Sequence, residues 1–332
     1  MPVPQLPDLV HSSQDPQTLS NSLKQAAQQL GFDQVGIASL RSPPHLASLQ
    51  EWLAAGYQAD MDWMDNPHRQ DPDQVLQGVR SVVCVAMNYY TPHPHSSDPS
   101  RARISRYAWG RDYHRVLGRR LKAFCQWLST ELPESRSRWY VDTGPVMEKP
   151  WAQQAGLGWI GKNSLLLTRE WGSWIFLGVV LTTLDLDPDP PHPNHCGTCT
   201  RCLQACPTQA IVAEGVVDAR LCLAYQTLEN QAEVIPPQVG KQMQSWVAGC
   251  DICQDVCPWN RRFAKPTQIE DFQPYPWNQA PSLGELVSLS DSEFDQRFRA
   301  SALRRVKVGR LRRNARAALD SVESDCSRSS CT

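Results

Sequence analysis

Eight of the twelve cysteines in this chain of 332 residues fall between Cys196 and Cys257, spaced as sulfur ligands to iron. Cys196-x2-Cys199-x2-Cys202-x3-Cys206-Pro207 is the bacterial ferredoxin run, in which three thiolates wrap one 4Fe-4S cubane and the fourth reaches a neighbouring one. The short spacings let a tight loop aim three sulfurs at three iron corners, and the x3 step carries Cys206 away. A second run, Cys250-x2-Cys253-x3-Cys257-Pro258, has the same ending but Val247 where its first cysteine should stand. Cys222, between Leu221 and Leu223, is the natural replacement. The exchange rule then gives Cys196, Cys199, Cys202 and Cys257 to a first cluster, and Cys206, Cys222, Cys250 and Cys253 to a second. Structural four-cysteine zinc sites are the competing reading, but zinc has no use for the x2, x2, x3, Pro phrasing. Two adjacent cubanes form a short electron wire, and a wire needs a terminus.

The other cysteines read differently. Cys84 in the apolar run Ser81 to Met87, and Cys125 in the helical pattern Leu121 to Leu128, behave as small buried hydrophobes. Cys326 and Cys331 sit in the polar tail SVESDCSRSSCT, which has too few apolar side chains to offset the entropy of ordering. The opening MPVPQLPDLVHSSQDP has no basic stretch leading into an apolar run, and nothing approaches the roughly 18 apolar residues of a spanning helix. A cytoplasmic protein without a membrane partner is expected. Thirty-three basic and 34 acidic side chains nearly cancel, so a charged partner must use a local patch.

Around these motifs the chain divides by pattern. From Leu19 to Leu186, strand-like runs (Gln34 to Ala38, Ser81 to Tyr89, Ser164 to Thr168, Trp174 to Thr183) alternate with helical periodicity such as Asn21 to Leu30, the mark of an α/β domain. Asp187-Pro188-Asp189-Pro190-Pro191-His192-Pro193 admits neither helix nor central strand. The expected partition is residues 1–188, a ferredoxin-like module at 189–265, a basic helical segment at 266–320 and a disordered tail at 321–332.

No GxGxxG between strand and helix identifies the terminus of the wire. The stretches Arg106-Tyr107-Ala108-Trp109-Gly110-Arg111-Asp112-Tyr113-His114, Val141-Asp142-Thr143-Gly144 and Ala155-Gly156-Leu157-Gly158-Trp159-Ile160-Gly161-Lys162-Asn163 resemble segments of epoxyqueuosine reductases. So do the cysteine pattern, Ser292-Glu293-Phe294 and Arg313-Asn314-Ala315, so the resemblance spans nearly the full chain. It implies an α/β (α+β) N-terminal cobalamin-binding domain, then a bacterial ferredoxin-like module with two 4Fe-4S clusters, then the short basic helical segment. It further implies reduction of epoxyqueuosine to queuosine at the wobble position of tRNA anticodons, by cobalamin fed through the clusters from an external low-potential donor, in a monomer. Asp142 matches the family's proton donor, and its apolar neighbours suggest burial that would keep the acid protonated. A turn-forming aspartate before Thr-Gly-Pro is the plain alternative. Arg69, Ser105, Asp112, His114, Asp142, Lys162, Asn163, Leu166, Leu177 and Asp251 are the cobalamin-facing positions implied. Helix capping competes for Asp112. Gly156, Gly158 and Gly161 would admit a bulky cofactor or, alternatively, close packing of backbone.

Between Arg297 and Arg316 stand nine Lys or Arg and no acid. Leu311, Ala315 and Ala318 at i, i+4 and i+7 give one packing face, and Arg304, Arg305, Arg312 and Arg313 are read as tRNA phosphate contacts. Family members often continue into further helical repeats, so a reduced tRNA footprint is expected. The alternatives are a reductive dehalogenase-like corrinoid enzyme, which usually bears a twin-arginine signal, and a non-catalytic ferredoxin-type carrier, which needs neither Asp142 nor a phosphate patch.

Overall fold

Every residue of Ser81–Asn88 is buried, as a strand covered on both faces requires. In the computed structural model, which describes residue 6, residues 15–40 and residues 45–329, with side chains as far as residue 323, this run is an inner strand of a four-stranded sheet. The order across the sheet is Gln34–Ser39, Ser81–Asn88, Ile175–Thr182, Ser137–Tyr140, and every neighbouring pair is antiparallel. The domain is therefore of the α+β kind. Gly36, Cys84, Val179 and Tyr140 form one row across all four strands. Cys84, Val82 and Ala86 pack against Trp151 and Ala152 of the helix Glu148–Gln154. A Cβ at Gly36 would lie 2.0 Å from the Ala155 carbonyl oxygen, so glycine is what lets the end of that helix approach. The helix Tyr113–Glu131 buries Leu117, Leu121, Phe124 and Leu128 and packs on the two strands Ile175–Thr182 and Ser137–Tyr140.

This sheet lies in the first of two compact units, which reaches Ala55 and adds Asp62–Asn88 and Tyr113–Thr198. The second comprises Gly56–Met61, Tyr89–Asp112 and the chain from Cys199 onward. The linear partition is corrected accordingly. Two segments before residue 189 belong with the cysteine runs, because Arg103–Ile104 pairs in parallel with Trp246–Ala248. Long-range pairing of that kind leaves no mark in local composition.

Within the second unit, the short helices Arg201–Ala205 and Ile252–Asp255 pack on each other and bring the two cysteine runs together. The helix Val308–Ser329 packs on Leu283–Ser288 and on Trp246–Ala248. Leu311, Ala315 and Ala318 are fully buried, as their spacing predicts. Asn314, also fully buried, donates 2.8 Å hydrogen bonds to the carbonyls of Thr227 and Val247. Ser290 and Glu293 form a reciprocal capping box at the helix Asp291–Phe298, a structural use for a segment singled out by resemblance. The expected disordered tail is corrected for residues 321–329, which continue the last helix. Ser321 is buried and donates to the Lys241 carbonyl at 3.2 Å, and extending an existing helix costs less than nucleating one. The Cys326 side chain and all of Cys331 lie outside the described residues. No helix among the described residues is long and apolar enough to cross a membrane.

Candidate active site and cluster-binding residues

The edge strand ends at Tyr140, and Asp142 follows with a left-handed backbone, φ 59°. Aspartate tolerates that region better than most residues. The tight turn also needs Gly144, where a Cβ would fall 2.3 Å from the Tyr140 ring. The Asp142 side chain is 44% exposed, and its Oδ2 lies 3.3 Å from His114 Nε2. The raised carboxyl expected there is found instead at the half-buried Glu148, pushed up to about 8 by its desolvation and then by the charge of Asp142. Glu148 Oε1 accepts a 2.6 Å hydrogen bond from the Asp142 N–H.

Arg69 donates to the carbonyls of Trp63 (3.1 Å) and Val146 (3.3 Å); burial lowers its pKa while the charges of Glu148 and Asp142 raise it. Lys149 Nζ donates to the Ser164 carbonyl at 2.7 Å; burial of the ammonium lowers its pKa, while the charges of Asp142 and Glu148 raise it. Arg69, His114, Asp142, Glu148 and Lys149 thus form one polar cluster in the first unit. Tyr113 stacks on His114 and on Phe176, with centroids 4.1 and 4.3 Å apart, giving the cluster an aromatic wall; Leu177, next in the strand, packs on the opposite face with the sheet core. Sequence reasoning missed Glu148 and Lys149; the only signal was a charged pair between Met147 and Pro150 in an otherwise apolar stretch.

The remaining cobalamin positions are held by the protein itself in several cases. Leu166 is buried in the sheet core, and Lys162 and Asn163 are nearly buried. Asn163 Oδ1 accepts from the Leu165 N–H at 3.4 Å. A Cβ at Gly156, Gly158 or Gly161 would strike Pro190, Leu167 or Leu167 respectively, within 2.7 Å, so close packing accounts for these glycines. In the second unit, the Asp112 N–H bonds the Ala300 carbonyl at 2.7 Å. Asp251 is 1% exposed there and accepts from the Ser105 hydroxyl, from the Arg106 N–H (2.9 Å) and Nη1 (3.1 Å), with His95 Nε2 at 3.1 Å. Burial alone would raise Asp251; His95, Arg106 and Ser105 together hold it below the usual carboxylate range. Ser105 and Asp251 therefore serve a buried polar network.

All eight motif cysteines are half-buried free thiols. Val247 is fully buried in the strand Trp246–Ala248, so the position where the second run lacks a cysteine points into the core. Cys222 stands instead at the N-cap of the helix Leu223–Leu228. Burial, and then the proximity of Cys206, pushes the Cys222 thiol up, against backbone bonds from Tyr225 and Ala224. Burial likewise pushes up Cys250, with Cys253 and Cys222 adding to it. Cys222 thus lies within electrostatic reach of Cys206 and of Cys250, and Cys250 of Cys253. Among the described residues no three His, Cys, Asp or Glu side chains converge as a single metal ion requires.

The acid-free basic run splits in two. Arg310 and Arg313 are bound to carbonyls: Arg313 to those of Gln226, Asn230 and Ala232, and Arg310 to those of Leu228, Glu229, Arg305 and Val306. Arg312 bonds the Leu289 carbonyl at 2.6 Å and Asp291 at 2.8 Å. Reading Arg313 as a phosphate contact is corrected: its guanidinium is committed to backbone. Arg304 and Arg305 are about half exposed, paired with Asp295 (3.5 Å) and Glu229 (3.0 Å). Lys307 and Arg316 are exposed and line a groove of about 1040 Å³ with Lys241, Arg310 and Arg312.

Comparison with known proteins gives matches over most of the chain. The family model described as epoxyqueuosine reductase QueG, DUF1730 matches residues 69–143, and that described as 4Fe-4S double cluster binding domain matches residues 195–260. An epoxyqueuosine reductase from Synechocystis sp. is 58% identical over 271 residues, 82% of this chain and 94% of that protein. One from Gloeobacter violaceus is 54% identical over 303 residues, 90% of this chain and 94% of that protein. A crystal structure of epoxyqueuosine reductase with an epoxyqueuosine-modified tRNA-Tyr stem loop superposes with TM-score 0.82 at 28% identity, covering 92% of this chain and 81% of that one. The Bacillus subtilis epoxyqueuosine reductase, seen with its aspartate-bearing catalytic loop swung out of the active site, superposes with TM-score 0.80 at 27% identity, covering 92% of this chain and 82% of that one.

Proposed function

The chain belongs to the epoxyqueuosine reductase family, and we propose that it reduces the epoxide of epoxyqueuosine at the anticodon wobble position of tRNA to give queuosine. The observation that carries the chemical reading is the Asp142 carboxyl, half exposed beside His114 in a chain that also holds two full sets of motif cysteines. Family membership sets aside the dehalogenase-like and carrier alternatives. The reaction takes up two electrons and two protons and releases the epoxide oxygen as water. Asp142 gives a proton to that oxygen as the ring opens, so the leaving group is not a bare alkoxide. His114 orients the carboxyl. The aspartate-bearing catalytic loop of the B. subtilis relative supports the assignment.

Cys196, Cys199, Cys202 and Cys257 hold one 4Fe-4S cluster, and Cys206, Cys222, Cys250 and Cys253 the other, relaying electrons from an external low-potential donor. A cobalamin held in the first unit would supply the low-potential electron chemistry at the epoxide carbon. The first unit fits such a cofactor: Arg69, His114 and Lys149 would offer N–H donors for its amide side chains beside the stacked rings of Tyr113 and Phe176. The exposed cations Arg304, Arg305, Lys307 and Arg316 take tRNA phosphates. We place the reaction in the cytoplasm, carried out by a single chain.

The test is an anaerobic assay of reconstituted protein on epoxyqueuosine-containing tRNA. Queuosine is expected from the wild type, and Asp142→Asn should lower kcat roughly 100-fold or more while iron content and tRNA binding persist. No queuosine from the wild type would overturn the function. Unaltered turnover of Asp142→Asn across pH would return Asp142 to a turn residue.

A further inference from the structure

A proton donor on an exposed turn must be held in place by something more rigid than itself. Asp142 occupies the left-handed region, which is disfavoured for a residue with a Cβ even though aspartate tolerates it better than most, so its conformation gains from an external anchor. The N–H of this residue meets Glu148 Oε1 at 2.6 Å. Glu148 opens the helix Glu148–Gln154, whose Pro150, Trp151 and Ala152 are buried against the sheet, so its backbone is fixed by the core. Its carboxyl turns back to the aspartate turn, and Met147, at the N-cap, contributes no side-chain cap of its own.

We infer that Glu148 is a positioning residue for the reaction: its carboxyl oxygen anchors the Asp142 amide and thereby fixes where the Asp142 carboxyl stands. The inference rests on reading Asp142 as the proton donor. Burial and the neighbouring Asp142 charge push the Glu148 carboxyl up to about 8, which favours its protonated form, and either form accepts the Asp142 N–H through a carboxyl oxygen. A glutamine at this position keeps the same acceptor and the same reach, whereas alanine removes both. A role as proton source, by contrast, would be lost in either variant.

The experiment compares Glu148→Gln, Glu148→Ala, Asp142→Asn and the Asp142→Asn/Glu148→Ala double variant in the holoenzyme, and adds crystal structures of the cofactor-free single variants at position 148. Positioning predicts that Glu148→Gln stays within about threefold of wild-type kcat, while Glu148→Ala loses roughly 30-fold or more with KM for tRNA changed by less than about twofold. The double variant should turn over no more slowly than Asp142→Asn, since the two residues act as one unit. The Asp142 turn should superpose on wild type in Glu148→Gln and be displaced in Glu148→Ala. Wild-type kcat in Glu148→Ala, equal damage in both variants, or additive losses in the double variant would each overturn the inference. If Glu148→Ala does not fold, Glu148→Asp replaces it: one methylene shorter, it should lower kcat at unchanged KM, and wild-type kcat would overturn the inference. Full activity of Asp142→Asn would defeat the donor reading itself, whereas an inactive Asp142→Asn with an unimpaired Glu148→Ala would defeat this inference alone.

Discussion

Arg313 Nη1 donates a 2.9 Å hydrogen bond to the main-chain carbonyl of Asn230. The same guanidinium also reaches the carbonyls of Ala232 and Gln226, so its planar fork ties the end of the helix Leu223–Leu228 to the last helix. Burial and the charge of Arg310 oppose its cationic form, and those carbonyl dipoles offset the cost. Arg313→Ala should therefore lower unfolding free energy by about 1–2 kcal/mol, since two part-buried carbonyls and an exposed one lose their donor at once. Arg313→Lys should rescue little, because one ammonium cannot span three divergent carbonyls. Denaturant titration of the cluster-loaded protein checks this; a loss below about 0.5 kcal/mol in the alanine variant would show the clamp to be incidental.

Cys222 is the proposed ligand that no local motif announces, and Cys206 and Cys250, two of the thiols assigned with it to the second cluster, lie near it in the fold. Cys222→Ser should drop iron from about eight to about four per chain after anaerobic reconstitution and leave one cubane spectroscopically intact. Iron analysis with electron paramagnetic resonance decides it. Two intact cubanes in the variant would mean that another group supplies the fourth ligand.

The raised Glu148 carboxyl makes stability fall with pH in a defined window. Its ordinary value is 4.5 and its folded value about 8, with Asp142, Arg69, His114 and Lys149 the charged groups around it. Between those values the folded state holds a proton that the unfolded state has lost, so this contribution is complete below about pH 4.5 and disappears as pH rises through 8. The wild type should lose more stability than Glu148→Gln between pH 5 and 8, measured as the shift in denaturant midpoint at fixed ionic strength. Parallel midpoints in the two proteins would show that Glu148 titrates normally.

The parts of this molecule that were legible in its sequence are those encoded by short spacing. The cysteine runs, the vacancy at Val247 and the Leu311, Ala315, Ala318 stripe are local patterns, and each is met by a local geometry. The strand Ser137–Tyr140 went unseen because Ser-Arg-Trp-Tyr is too short and too polar to register, though it carries the chain to Asp142. The joining of Tyr89–Asp112 to the cysteine unit depends on pairing over more than a hundred residues. Glu148 was hidden because what matters is its contact with a backbone amide, and an amide has no sequence signature. The same holds for Arg313, whose partners are carbonyls.

Once Arg310 and Arg313 are spent on backbone, the cations left for phosphate are fewer and can be named. Arg304 is about half exposed and paired with the exposed Asp295, a contact that contributes little at physiological salt, and Arg305, also about half exposed, pairs with Glu229, while Lys307 and Arg316 face solvent and line the groove. Changing Arg304, Lys307 and Arg316 to Ala should leave the unfolding free energy within about 0.5 kcal/mol of wild type for each site. It should also weaken tRNA binding and flatten the dependence of log Kd on log salt by up to about one unit per lost phosphate contact. Turnover at saturating tRNA should change less, because these side chains position the stem rather than the reacting base. Affinity measured at three or more salt concentrations for both proteins is the check. An unchanged affinity and slope in the folded triple variant would show that the run is solvated surface and that tRNA phosphates are met elsewhere.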